Sequence, residues 1–432
     1  MIWAKDSGVA QEIAKDLDEA ANMIAAVGRF KTVGYGEVVC MTLDWQSEDA
    51  GLAPVTGAAA LREFDLSFCL SKPAMVAAEY SDSNTLQSGQ RIPGGMIKGA
   101  VAQHLRMLGH IPETGELGAA LSALRVGEAE PQGIAPTIPL DTVEPEDLTA
   151  PDTRWDKATL KQPGCGKGIK FTPDFKRDRN PVSLETETRT RLRIDEKRQA
   201  AASGALFSQT LVRPDWPDGT PVIWRSRVDA SACPTSTKAE QAARDLVSSA
   251  LMGGPASLGK TSARMTNLAA APVPVSPAPG LGRLRVTIRT PTLMLREAHL
   301  ADTSAYHAAL RAYWDCVTGG AYRLADDDGP PDFPPLPAVF ASLSLHGGYE
   351  ARKFRFFGDQ VVEPFVLTDP GSVFVLEPVG RPQPSVLAGL SASGLPLVEW
   401  AGETPALSAK AWRDCPYLPE NGFGAIAVED AA

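Results

Sequence analysis

Hydrophobic positions along this chain follow two rhythms, and the switches between them mark out its elements. Val9, Ile13, Leu17, Ala20, Ile24 and Val27 recur three or four apart among Gln, Glu, Lys and Asp, which predicts an amphipathic helix over residues 9–27 that stops at Gly28. Gly28, Gly34 and Gly36, with Arg29 and Lys31 among them, then make a turn that runs into the β-branched stretch ending at Cys40. The period changes to two at residues 61–70, where Phe64, Leu66, Phe68 and Leu70 alternate with smaller or polar partners, as in a half-buried strand. A polar loop over residues 80–90 leads to Arg91, Ile92 and a Pro93-Gly94-Gly95 turn. The turn feeds a helix that carries Met96, Ile97, Ala100, Val101 and Leu105 inward and leaves Lys98 near its N-terminus.

Periodicity fades over residues 110–185, which are rich in Pro, Gly and acid and predict an inserted lobe of loops and short strands. It returns as two alternating runs at 187–195 and 205–212, a strand and its partner. A helix is predicted from Lys238 to Leu251 through Ala242, Ala243, Leu246, Val247, Ala250 and Leu251. It leads into a turn that holds Gly253, Gly254, Gly259, Lys260 and Arg264. The order helix, glycine turn, cation, strand thus repeats that of residues 9–40. A Pro-Ala-Val tract at 269–282 has linker composition. After it come a strand at 283–290, a helix at 305–314, a short strand at 373–376, and a third glycine turn into a strand at 419–428. The expected organisation is a helix plus glycine loop at 1–45, a domain at 61–268 with a lobe at about 110–185, a linker at 269–282 and a second domain at 283–432.

A length of 432 residues with 44% hydrophobic content supports several cores. No apolar run approaches the ~20 residues of a membrane span, and the N-terminus lacks the order of a secretory signal. The expectation is a soluble, cytoplasmic protein without a membrane partner. Its six cysteines form no CxxC pair, and its five histidines are dispersed, which argues against a zinc site. The net charge of −10 excludes a uniformly basic nucleic-acid binder. Cations nevertheless cluster at 167–198, 224–227, 283–289 and 352–355, and a phosphate backbone responds to the groove it occupies, within a Debye length of ~10 Å.

Consecutive glycines let backbone N–H groups converge on an anion, and a nearby Lys or Arg adds charge. Residues 254–261 also satisfy the letters of a P-loop, GxxxxGK[ST], although a helix precedes the turn where a P-loop needs a strand. Acid and base candidates are Asp82, Asp195, Glu196 and His104, and nothing in the linear sequence pairs them.

Ile92-Pro-Gly-Gly-Met-Ile-Lys-Gly-Ala100 resembles the Ile-Pro-Gly-Ser-x-Leu-Lys-Gly signature of the RAMP superfamily of CRISPR-associated proteins, with Gly95 in place of the usual serine. Residues 371–377 and 420–424 are similar to the C-terminal blocks of the large multi-RAMP, Cas-five-like or Cas-seven-like subunits of type III-D effectors. The resemblance implies an α+β fold of tandem ferredoxin-like (RRM-like) domains with glycine-rich loops, with residues 1–45 similar to the end of one such unit. It implies a scaffold that binds crRNA, especially its 5′ handle, for recognition of target RNA beside RAMP backbone subunits and a large subunit. The phosphate-holding candidates are Arg29, Lys31, Gly34, Gly36, Arg91, Gly94, Gly95, Lys98, Arg225, Gly253, Gly254, Gly259, Lys260, Arg264 and Arg355, with Trp224 and Tyr349 as stacking candidates. The scaffold reading needs no cofactor. A second reading, a backbone endoribonuclease that cuts target RNA with Asp82 and Mg2+, stays open, as does a P-loop nucleotide-binding protein.

Overall fold

The computed structural model describes residues 15–16, 62–76, 79–82, 85–133, 142–143, 155–156, 184–195, 200–255, 258–259, 261, 263–273, 282–327, 336–337, 339–346, 365–397, 415 and 417–430. Residues 15–16 are helical, and the rest of the first predicted helix lies outside the described residues together with Arg29, Lys31, Gly34 and Gly36.

The first unit is built on strand β1 (Glu63–Leu70), whose alternation buries Phe64, Leu66 and Phe68 on one face. Helix α1 (Gly94–Met107) follows the Pro-Gly-Gly turn and buries Ile97, Ala100, Val101 and Leu105. Next come α2 (Gly115–Ala123) and the short strands β2 (Arg125–Val126) and β3 (Glu130–Pro131). Strand β4 (Trp224–Asp229), helix α3 (Lys238–Met252) and strand β5 (Met265–Pro272) complete the unit. A capping box opens α3: Thr237 Oγ1 accepts from Glu240 N–H, and the Glu240 carboxylate accepts from Thr237 N–H.

The sheet order is β5-β1-β4-β2, antiparallel at each pairing, with β3 also on β4. Counted as four strands of a βαββαβ chain, this is order 4-1-3-2, a ferredoxin-like unit. Phe64 pairs with Val228, Leu66 with Ser226 and Phe68 with Trp224, so one face of the sheet packs on the helices and the opposite face carries Asp65, Ser67, Arg225 and Arg227.

The second unit repeats the plan. It comprises β6 (Leu284–Ile288), β7 (Thr292–Leu295), α4 (Thr303–Thr318), β8 (Tyr322–Leu324), β9 (Phe365–Thr368), β10 (Val373–Pro378), α5 (Pro384–Ser393) and β11 (Ile426–Asp430). Its main sheet runs β8-β10-β6-β11, the same 4-1-3-2 order read from the other edge. Tyr313, Trp314, Tyr322 and Phe374 fill the core with Leu284, Val286 and Leu310. Strands β7 and β9 form a separate three-stranded sheet with residues 343–346.

Two expectations shift. Residues 115–131, assigned by composition to an irregular lobe, supply α2, β2 and β3 to the first unit, because Ala120, Leu124, Val126 and Ala129 join its core. Residues 269–272, assigned to a linker, finish edge strand β5, where main-chain pairing to β1 suffices and alanines need no pocket. The runs at 187–195 and 205–212 do pair, within strands Thr186–Asp195 and Ala200–Val212 of a four-stranded side sheet.

Candidate nucleic-acid interface

The two units meet backbone to backbone. The loop over residues 418–424, between α5 and β11, lies against the start of α1 and the turn after β2. A Cβ on Gly94 would stand 1.7 Å from the Val126 carbonyl oxygen and 2.8 Å from that of Asn421. Gly422, at φ +92°, leaves only 2.6 Å between its own Cβ position and Glu128 N. Two cations cross this seam. Lys98 Nζ donates to the carbonyls of Ser122 (3.1 Å) and, in the second unit, Glu420 (3.4 Å). Arg91 Nη1 donates to Glu128 Oε2 (3.3 Å) and to the Arg289 carbonyl (3.0 Å), with Glu130 Oε1 at 3.4 Å.

Burial pulls the Lys98 ammonium down from 10.5 to about 8, although the Glu420 charge opposes the shift. Burial likewise raises the Glu128 carboxyl from 4.5 to about 7 against the pull of Arg91. Lys98 and the backbone at Gly94 and Gly95, candidates for holding phosphate, are thus engaged with the chain's own second unit.

The other candidates divide. Trp224 is corrected from a stacking residue to a core one: it is 0% exposed, because its strand position faces the helices. Its neighbour Arg225 is exposed. The glycine loop after α3 folds back on its own unit. A Cβ on Gly259 would meet the Met75 carbonyl oxygen at 2.5 Å, Arg264 Nε donates to the Gly254 carbonyl at 3.2 Å, and Gly253 is exposed at the end of α3. The loop joins a helix to a strand, the reverse of the strand, loop, helix order a P-loop requires, so the nucleotide-binding reading is withdrawn. Asp82 ends strand Glu79–Asp82 in a hairpin with Thr85–Gln87. His104 lies on α1, with burial lowering its pKa, and Asp195 ends its strand. Lys260, Tyr349, Arg355 and Glu196 lie outside the described residues. Among the described residues no three His, Cys, Asp or Glu side chains converge as a metal site.

Between the units lies a cleft of about 540 Å³. Its walls are the open face of the first sheet and the second unit's residues 289–290, 391–394 and 419–426. Four arginines line it: Arg125 from β2, Arg225 and Arg227 from β4, and Arg289 just after β6. Arg227 is held by Glu63, with Nε to Oε1 at 2.6 Å. Arg125, Arg225 and Arg289 have no carboxylate partner among the described residues. Four carboxylates, Asp65, Glu128, Glu130 and Asp229, line the same space, so the surface offers cations for phosphates and acceptors for hydroxyl or amino groups. The alternation of Trp224 to Asp229 signals that Arg225 and Arg227 share a face, opposite Trp224. Nothing local marks Arg125, which sits in a two-residue strand, or joins Arg289 to it.

No family model and no curated protein matches the chain. Among solved structures, a chain of a type III-B Cmr-beta complex bound to cognate target RNA and AMPPnP is similar at 9% identity and TM-score 0.37, over 85% of this chain and 99% of that one. A chain from Cmr-beta bound to cognate target RNA gives 12% identity and TM-score 0.35, over 72% and 86%. One from the Csm3-Csm4 subcomplex of the type III-A CRISPR-Cas interference complex gives 8% and 0.29, over 73% and 94%. Likeness at these values is too loose to transfer an activity.

Two outcomes are expected of the seam. Gly94→Ala should lower unfolding stability by about 1–3 kcal/mol or more, because its methyl meets fixed backbone. Gly95→Ala should be tolerated, since its nearest neighbour is Asn421 at 3.4 Å; urea unfolding separates the two. The raised Glu128 carboxyl binds a proton more tightly folded than unfolded. Its contribution is therefore present below pH 4.5 and lost as pH rises through about 7, by on the order of 2–3 kcal/mol. Glu128→Gln should flatten the dependence of the urea midpoint between pH 5.5 and 7.5. The Lys98 contribution, from a lowered pKa, is lost as pH falls from 10.5 through about 8, so the two windows do not overlap.

Proposed function

We propose that this chain is an RNA-holding scaffold subunit of a type III CRISPR effector ribonucleoprotein, in which the cleft between its two ferredoxin-like units receives a strand of guide RNA. One observation carries the reading: Arg125, Arg225 and Arg289, none of them in an ion pair among the described residues, reach one cleft from both units, interleaved there with Asp65, Glu128, Glu130 and Asp229. Guanidinium groups desolvate readily and bind phosphate oxygens in pairs, so three of them along one groove suit consecutive phosphodiesters. The Ile92 to Ala100 signature and the paired 4-1-3-2 sheets support the same assignment. The preferred segment of guide is the 5′ handle, by the resemblance of residues 371–377 and 420–424 to the subunits that hold it. The partners are crRNA, target RNA and neighbouring effector subunits. Among the described residues no helix is long and apolar enough to cross a membrane.

Holding RNA in this way is a matter of position and charge, and it requires no bond to be broken. Asp82 belongs by its backbone to the side-sheet hairpin, and the scaffold reading assigns it no role.

Arg225→Ala and Arg289→Ala should each weaken single-stranded RNA binding several-fold and reduce the slope of log K against log salt by about 0.7 per lost phosphate contact. Filter binding across a salt series reads both quantities, and an unchanged slope in the double variant would sink the proposal. Lys98→Ala should lower the thermal midpoint and leave that slope intact, since its ammonium faces carbonyls of its own chain. Complementary RNA incubated with the assembled complex should remain equally intact with wild type and Asp82→Ala; cleavage that disappears in the variant would favour the endoribonuclease.

A further inference from the structure

Resting on the RNA reading of the cleft, we infer that Phe423 is the base-stacking residue of that site, so that the cleft holds single-stranded RNA by a nucleobase as well as by phosphates. Phe423 is the single aromatic ring among the described residues lining the cleft, where it stands with Arg289 and Thr290. Its setting holds it in place. It lies between Gly422 (φ +92°) and Gly424 (φ +78°), two left-handed positions that fold the loop sharply and add no side chains of their own next to the ring. The backbone on either side is fixed: Gly422 N–H donates to the Pro419 carbonyl at 3.0 Å, and Gly424 N–H to that of Pro291 at 3.2 Å. The Gly424 carbonyl accepts from Leu395 N–H at 2.7 Å.

The ring is also braced from behind. Tyr417 meets Phe423 edge to face at 5.1 Å between centroids and 84° between planes. Tyr417 in turn contacts Phe365 at 5.2 Å and His346 at 6.0 Å, both steeply tilted. None of these three supporting rings lines the cleft, while Phe423, only partly buried, does. A cluster that served only as a small core would have no reason to end in a partly exposed ring at an arginine-lined cleft. A braced ring loses little freedom when a base stacks on it, and each base offers a π-face, so the contact adds affinity without demanding a sequence.

The test compares the full chain's binding to single-stranded RNA with its binding to inorganic polyphosphate, which has charge and no bases. Phe423→Leu should weaken RNA binding about tenfold, leave polyphosphate binding within about twofold, and keep the thermal midpoint near wild type. Phe423→Tyr should retain RNA affinity. 2-Aminopurine scanned along the RNA should show a position quenched by wild type and restored by Phe423→Leu. Should Phe423→Leu bind both polymers as wild type does while Arg225→Ala/Arg289→Ala loses both, the stacking role is overturned and the RNA reading stands. Equal weakening toward both polymers would mean that the ring acts through the loop's shape, and overturns it too. If the arginine double variant binds RNA normally, the cleft is not the RNA site, and the inference falls with that reading.

Discussion

The structure depends on one close approach, the main chain of residues 420–422 against the main chain at Gly94 and at residues 126–128. A methyl group at Gly94 or Gly422 would overlap peptide atoms that cannot yield. Because those positions lack a Cβ, the second unit docks on the start of α1 in a fixed place. The cleft exists because of that docking, since one wall comes from each unit. Hydrogen bonds from Arg91 and Lys98 then secure the contact, and the buried Glu128 makes the first of these sensitive to protonation.

Cations near the seam have the same formal charge and do different things, and burial decides which. Lys98 and Arg91 are spent on carbonyls and carboxylates of their own chain, in surroundings dry enough to lower one ammonium and raise one carboxyl. Arg125, Arg225 and Arg289 face the cleft without a carboxylate partner among the described residues. A charge that has met its partner within the fold has little left to offer a polyanion, so the second group carries the RNA reading.

The two ferredoxin-like units share topology, and each places a glycine loop between its second helix and its last strand. The loops have separate tasks. The first folds onto the Met75 backbone of its own unit, while the second crosses to the neighbouring unit and presents Phe423 to the cleft between Gly422 and Gly424. Equivalent positions in the two units thus serve as a brace in one and as a docking element that lines the cleft in the other.

Alternation at Phe64 to Leu70 and helical spacing at Met96 to Leu105 and Ala242 to Leu251 were enough to place β1, α1 and α3, because burial of one face is a local, periodic property of the chain. The signature at Ile92 to Ala100 likewise pointed to the α+β class. Residues 115–131 and 269–272 escaped that reading, since strands of two residues and an alanine-rich edge carry too little pattern to register. The sequence by itself determined which residues have the chemistry to hold RNA: glycines beside cations, and arginines alternating with core residues along a strand. Only the tertiary structure decided which of them are free to do so. Whether Lys98 meets a phosphate or the Glu420 carbonyl, and whether Arg125 stands beside Arg225 and Arg289, depends on contacts between segments hundreds of residues apart, which periodicity cannot encode.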